Sequence, residues 1–244
     1  MFILVLFGYK QYKVFTIDVL GNTLLDCIWT QAIKEITKLL TAKDEQHQKD
    51  QKTAQQKISL NEKRISAINQ QLQEEGLLEA PTGKKDDKKG AKPPPQKKGK
   101  DAPPSNPLEA EKLELQKDTE KQQEYVTKYT DKLNKIKVTL EKFKDLNEKY
   151  HNDQLVIELC DKTGERKFVK TKLDGIANTF LSDKGTYILA YLQAPATPDE
   201  EEQLMALEFE GYLARTVDED IGAVEEPLLQ LQPKKDDKKK KGKK

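Results

Sequence analysis

The sequence predicts an α+β protein. A small mixed-sheet head is interrupted by a long antiparallel helical coiled-coil hairpin, and a C-terminal helix and a disordered basic tail follow. Three observations predict this. Apolar residues alternate with period two near the start and again after Asn152. Between these regions they recur in steps of three and four, the mark of a heptad seam. A Pro-, Gly- and Lys-rich stretch divides that helical middle into two arms of equal length, Ile33 to Glu75 and Leu108 to Tyr150.

Each element follows from local chemistry. Phe2 to Phe7 is a β-branched and aromatic run, and Gly8-Tyr9-Lys10-Gln11 is a turn. Tyr12 to Asp18 is the return strand. Tyr12, Val14 and Thr16 face one way; Lys13, Phe15 and Ile17 face the other. Gly21-Asn22 breaks the strand, and Thr23-Leu24-Leu25-Asp26 fits a capping box that opens a helix. Its apolar face is Leu24, Leu25, Ile28, Ala32 and Ile33. No Pro or Gly follows until Gly76, which sits where a helix C-cap belongs. The seam runs Ile33, Thr37, Leu40, Asp44, His47, Gln51, Ala54, Ile58, Asn61, Ile65, Ile68 and Leu72, polar in its middle. His47 reads as a tolerated polar layer.

Asn106-Pro107-Leu108-Glu109 starts the second arm, with Asn as N-cap and Pro at the first helical position. Its seam is Leu115, Thr119, Gln122, Val126, Tyr129, Leu133, Ile136, Leu140, Phe143, Asn147 and Tyr150. Folded back, the arms give a coiled coil ~65 Å long at ~1.5 Å per residue, with Ile33 near Tyr150 and Ile58 facing Val126. Strands are expected at Leu155 to Cys160, Arg166 to Val169 and Gly185 to Leu192. Asp161-Lys162-Thr163-Gly164 is a hairpin turn, and Ile176 to Leu181 a short turn or helical piece. Thr197-Pro198-Asp199-Glu200 caps the predicted last helix, which bears Leu204, Met205, Phe209 and Tyr212. The expected organisation is a discontinuous head (1–40 plus 154–195), coiled-coil arms (41–79 and 106–150), a disordered linker (80–105), a C-terminal helix (197–214) and a disordered tail (215–244).

The order strand, strand, helix, insertion, strand, strand, short piece, strand is that of the ubiquitin-like β-grasp, with the first strand parallel to the last in mid-sheet. Several residues also resemble a known family, the one named after chromosome X open reading frame 65. They are Met1-Phe2-Ile3 with Gly8, Leu24-Leu25, Ile157-Glu158-Leu159-Cys160-Asp161 with Thr163-Gly164, and Phe180-Leu181 before Thr186-Tyr187. The resemblance covers under half the chain. The hairpin, 41–150, departs from the family's short members. The family has no established activity, and the resemblance suggests an axonemal part in ciliated lineages.

The composition points the same way. The 244 residues are 35% hydrophobic and 35% charged, apolar-poor for a compact globule. Lys and Arg number 43 against 42 Asp and Glu, so a net charge of +1 draws the chain to neither nucleic acid nor membrane. No apolar run approaches the ~20 residues of a membrane helix. Met1 to Phe7 lacks the basic start and small-residue cleavage site of a signal peptide. Two His and two Cys at scattered spacing form no metal pattern, and Cys27 and Cys160 read as buried free thiols.

No phosphate loop, nucleophile elbow or base-paired Cys or His is present, so an enzyme is not expected, nor a cofactor or small-molecule substrate. A conjugated modifier would need a terminal Gly-Gly, whereas the sequence closes on Lys241-Gly242-Lys243-Lys244. The basic blocks Lys84–Lys100 and Lys234–Lys244 lack aromatics for base stacking. They read as solvated tails, as a contact to tubulin or, less readily, as a polyanion site.

The expected function is therefore that of a structural or adaptor component of a cytoskeletal assembly, the ciliary axoneme, with other axonemal proteins as partners. The alternative is a polyanion-binding or general scaffold protein outside the cilium. Candidate protein-binding residues are Tyr191, Phe209, Tyr212, Leu228, Leu229 and Leu231.

Overall fold

The computed structural model describes residues 1–74, 106–167, 172–193 and 203–220. The expected linker 80–105, the Gly76 cap, the Thr197 cap, Phe168 and Val169 of the return strand, and Leu228, Leu229, Leu231 and both basic blocks lie outside them. The elements are β1 (Phe2–Phe7), β2 (Gln11–Thr16), α1 (Gly21–Glu74), α2 (Pro107–His151), β3 (Val156–Cys160), β4 (Thr186–Gln193) and β5 (Gln203–Ala206). Short 3₁₀ turns lie at Ala177–Thr179, Gly211–Ala214 and Asp218–Asp220. The chain divides into two compact units, 1–46 with 132–244, and 47–131.

The first unit holds a five-stranded mixed sheet in the order β2-β1-β4-β3. β1 pairs antiparallel with β2 and parallel with β4, Leu4 lying opposite Thr186 and Leu6 opposite Ile188. β3 covers one edge of β4, antiparallel from Val156–Leu192 to Cys160–Ile188. The other edge of β4 is shared. β1 takes its first residues, and β5 takes Ala190 to Gln193 in antiparallel register. The two meet where the Gly8 amide donates to the Leu207 carbonyl at 2.6 Å.

Ile3, Val5, Phe7, Phe15, Ile17, Ile157, Leu159, Leu189 and Tyr191 turn one sheet face inward. Leu24, Leu25, Ile28, Trp29, Ala32, Ile36 and Leu40 of α1 pack into the same core. Each such side chain contributes about 1.5–3 kcal/mol through burial. Trp29 is fully buried, and its indole N–H donates to Asn147 at 3.0 Å.

Several expectations change here. The core also takes in Ile136, Phe143 and Leu146 of α2 and Leu207, Phe209 and Leu213, so the head exceeds 1–40 plus 154–195. The C-terminal helix is replaced, over the described residues 203–214, by β5 and a 3₁₀ turn. Met205, Leu207 and Phe209 also alternate with period two, and the unpaired backbone of β4 beyond Ile188 needs a partner. Residues 215–217 are not tail-like, since Val217 is buried. The helix begins at Gly21 without the Thr23–Asp26 capping box. Asn22 Oδ1 accepts the Thr23 amide, while Asp26 accepts the Tyr150 hydroxyl. Tyr150 also stacks on Trp29 at 5.0 Å between centroids, so it sits a turn or more before Ile33. Thr37 is exposed and Ile36 takes the buried position, because α1 here faces a sheet rather than one helix. Cys27 is exposed; Cys160 is buried, and burial, then the Glu158 charge, pushes its thiol up to about 12.

In the second unit, α1 buries His47, Ala54, Ile68 and Leu72, and half-buries Gln51, Ile58, Asn61 and Ile65. Residues between these seam positions are largely exposed. On α2, Gln122 and Tyr129 are buried and Leu115, Thr119 and Val126 half-buried. His47 lies on Tyr129 with centroids 5.6 Å apart. Gln51 donates to Thr130 at 2.7 Å, Asn61 to Asp118 at 2.8 Å, and Arg64 to both Glu111 oxygens at 2.7 and 3.2 Å. At the start of α2, Asn106 Oδ1 accepts the Leu108 amide at 2.9 Å, the expected cap.

Candidate functional site: a groove on the first unit

The first unit carries a groove of about 640 Å³ lined by three pieces of chain. They are the β1–β2 turn (Gly8 to Lys10), one face of α2 (Asn134 to Lys142) and the segment from Met205 to Gly211. Gly8 makes this assembly possible. Its φ is +59°, and a Cβ there would lie 3.1 Å from Ile36 Cγ1 and 3.2 Å from Phe209 Cε1. The bare turn lets Phe209 approach the helix. Phe209 in turn meets Phe143 edge-on, with centroids 6.4 Å apart and planes at 85°.

The lining combines apolar side chains with charged ones. Val138 is 66% exposed. Met205 and Phe209 stand on the opposite wall. Lys135 and Lys142 extend from α2, Lys10 from the turn, and Glu208 and Glu210 from the C-terminal wall. Lys135 Nζ lies 4.9 Å from the centroid of the Tyr212 ring. Lys10 Nζ lies 5.8 Å from the ring of Tyr9.

A buried lysine fixes the C-terminal wall. Lys132 is 5% exposed, and its ammonium donates to the carbonyls of Tyr212, Arg215 and Thr216 at 3.0, 3.0 and 3.2 Å. Three charge-assisted bonds offset the desolvation of the cation. Arg215 then donates to the Tyr9 hydroxyl, with its guanidinium 5.1 Å from that ring. The wall is thus tied to α2 and to the β1–β2 turn.

The structure sorts the candidate residues. Phe209 lines the groove, and Tyr212 stands behind its α2 lip. Tyr191 is a correction: it is 4% exposed, lies in the core opposite Ile157 and Met205, and presents no surface to a partner. Leu228, Leu229 and Leu231 lie outside the described residues. Sequence reasoning missed Val138, Lys132 and Gly8. Val138 left a signal, being an apolar residue out of phase with the α2 seam. Lys132 left none.

Among the described residues, no group of three or more His, Cys, Asp or Glu could hold a metal ion. No helix among them is long and apolar enough to cross a membrane. Comparison with protein-family models, curated proteins and solved structures finds no match to the chain.

Proposed function

We propose that the chain is a non-enzymatic structural or adaptor component of a large cytoskeletal assembly, the ciliary axoneme, and that it holds protein partners through the groove and the two long helices. The groove carries this reading. A groove whose lining holds an exposed valine, a methionine and a phenylalanine together with lysines and glutamates suits a peptide side chain. The contacts within residues 47–131 support an antiparallel coiled-coil hairpin. As the bonded residues advance from Gln51 to Arg64 on α1, their partners retreat from Thr130 to Glu111 on α2. The parallel β1–β4 pair between two antiparallel neighbours supports a ubiquitin-like β-grasp head. The axoneme rests on the family resemblance alone, as does the choice of axonemal proteins as partners. Tubulin contact would come from the Lys-rich blocks, through their charge.

The test is retention in cilia. Tagged full-length chain is expected to stay with detergent-extracted axonemes, and Val138→Asp to lower the retained fraction at least fivefold at equal expression. Nuclear accumulation released by salt would replace this reading with the polyanion alternative. Loss of the unaltered chain on detergent extraction would remove it.

A further inference from the structure

We propose that the groove is occupied in the free protein by the chain's own acidic, leucine-bearing segment, Val224-Glu225-Glu226-Pro227-Leu228-Leu229-Gln230-Leu231. This rests on the groove being a docking surface for peptide and names its resident occupant. Charge is the first argument. Lys10 and Lys142 are in no ion pair between described residues, and both line the groove together with Val138. Glu225 and Glu226 supply two adjacent carboxylates, followed by Leu228, Leu229 and Leu231 for the apolar strip of Val138, Met205 and Phe209. Glu208 and Glu210 on the opposite wall repel the two carboxylates, which sets the occupant's acidic side toward α2.

The second argument is where the segment is rooted. Lys132 grips the carbonyls of Arg215 and Thr216, and Val217 is buried, so the chain leaves from the side of α2. Lys132, Lys135, Val138 and Lys142 follow at three- and four-residue steps along one face of that helix. Lys132 to Lys142 spans ~15 Å at ~1.5 Å per residue. The chain is described to Asp220, in a 3₁₀ turn, and Asp220 to Val224 reaches ~13 Å at ~3.3 Å per residue, close to the ~15 Å from Lys132 to Lys142. Being tied to the same molecule gives the segment an effective concentration near millimolar, enough for a weak peptide contact to persist. A partner with a matching acidic leucine-rich segment would displace it.

Zero-length carbodiimide coupling tests this on the full chain, since it joins only a lysine and a carboxylate already in contact. A mixture of unlabelled and ¹⁵N-labelled protein, read by mass spectrometry, is expected to give amides from Lys10 or Lys142 to Glu225 or Glu226 within single copies. Leu228→Ser with Leu229→Ser and Leu231→Ser, which leaves every coupling group in place, is expected to lower their yield at least fivefold. Val138→Asp is expected to do the same from the groove side. Absence of these amides, their formation only between copies, or a yield unmoved by either variant overturns the proposal. If axonemal retention still depends on Val138 while the internal amides are absent, docking through the groove stands and self-occupancy falls.

Discussion

The first and later parts of α1 are one continuous helix buried in two different ways. From Leu24 to Leu40 it lays a wide face on the sheet, with Leu24, Leu25, Ile28, Trp29, Ala32, Ile36 and Leu40 all buried. From His47 to Leu72 it buries four residues, one of them a histidine and one an alanine, with polar Gln51 and Asn61 between. A helix against a sheet offers more than 100° of its circumference, whereas a helix against one helix offers a narrow stripe. The stability of the early part therefore comes from buried area. The later part depends on registered side-chain pairs over a thin seam, and it opens at lower free energy.

Truncation of Trp29 is the strongest way to break this contrast. Trp29→Ala is expected to lower unfolding stability by ~3–5 kcal/mol, read by denaturant titration, because it removes the largest fully buried side chain from the core of the first unit. Ile68→Ala sharpens the contrast. It is expected to lower stability by about 2 kcal/mol, the low end for such truncations, because the seam can relax. Hydrogen exchange should then accelerate over 47–131 while β1 and β4 stay protected. Equal acceleration in both places would erase the distinction. The smallest effect is expected from Arg64→Ala. Arg64 and Glu111 are bonded but solvent-facing, so the denaturation midpoint should not move measurably.

The same contrast explains what could be read in advance. A seam repeats, so every position from Leu115 to Tyr150 was legible, and all of them prove buried or half-buried. β1 was legible to the residue. The sheet contact does not repeat: Trp29 went unmarked, and Thr37 took the place that belongs to Ile36. The stretch from Leu204 to Tyr212 satisfies a helical and an alternating pattern at once. The choice lies in the open backbone of Ala190 to Gln193, which no local pattern reveals. The groove was less legible still. Phe209 was singled out, but Gly8, Val138 and Lys132 acquire meaning only when the turn, α2 and the C-terminal wall converge.

The divided edge of β4 has a consequence for biogenesis. β1 is made some 180 residues before the strand it lies parallel to, and β5, which completes that edge, comes later again. At ~5–20 residues per second the nascent hairpin waits on the order of ten seconds or more with one sheet border bare. Sheet closure therefore waits for β4 and β5, and during that interval Phe2 to Phe7 is the segment a chaperone would have to shield from other nascent chains.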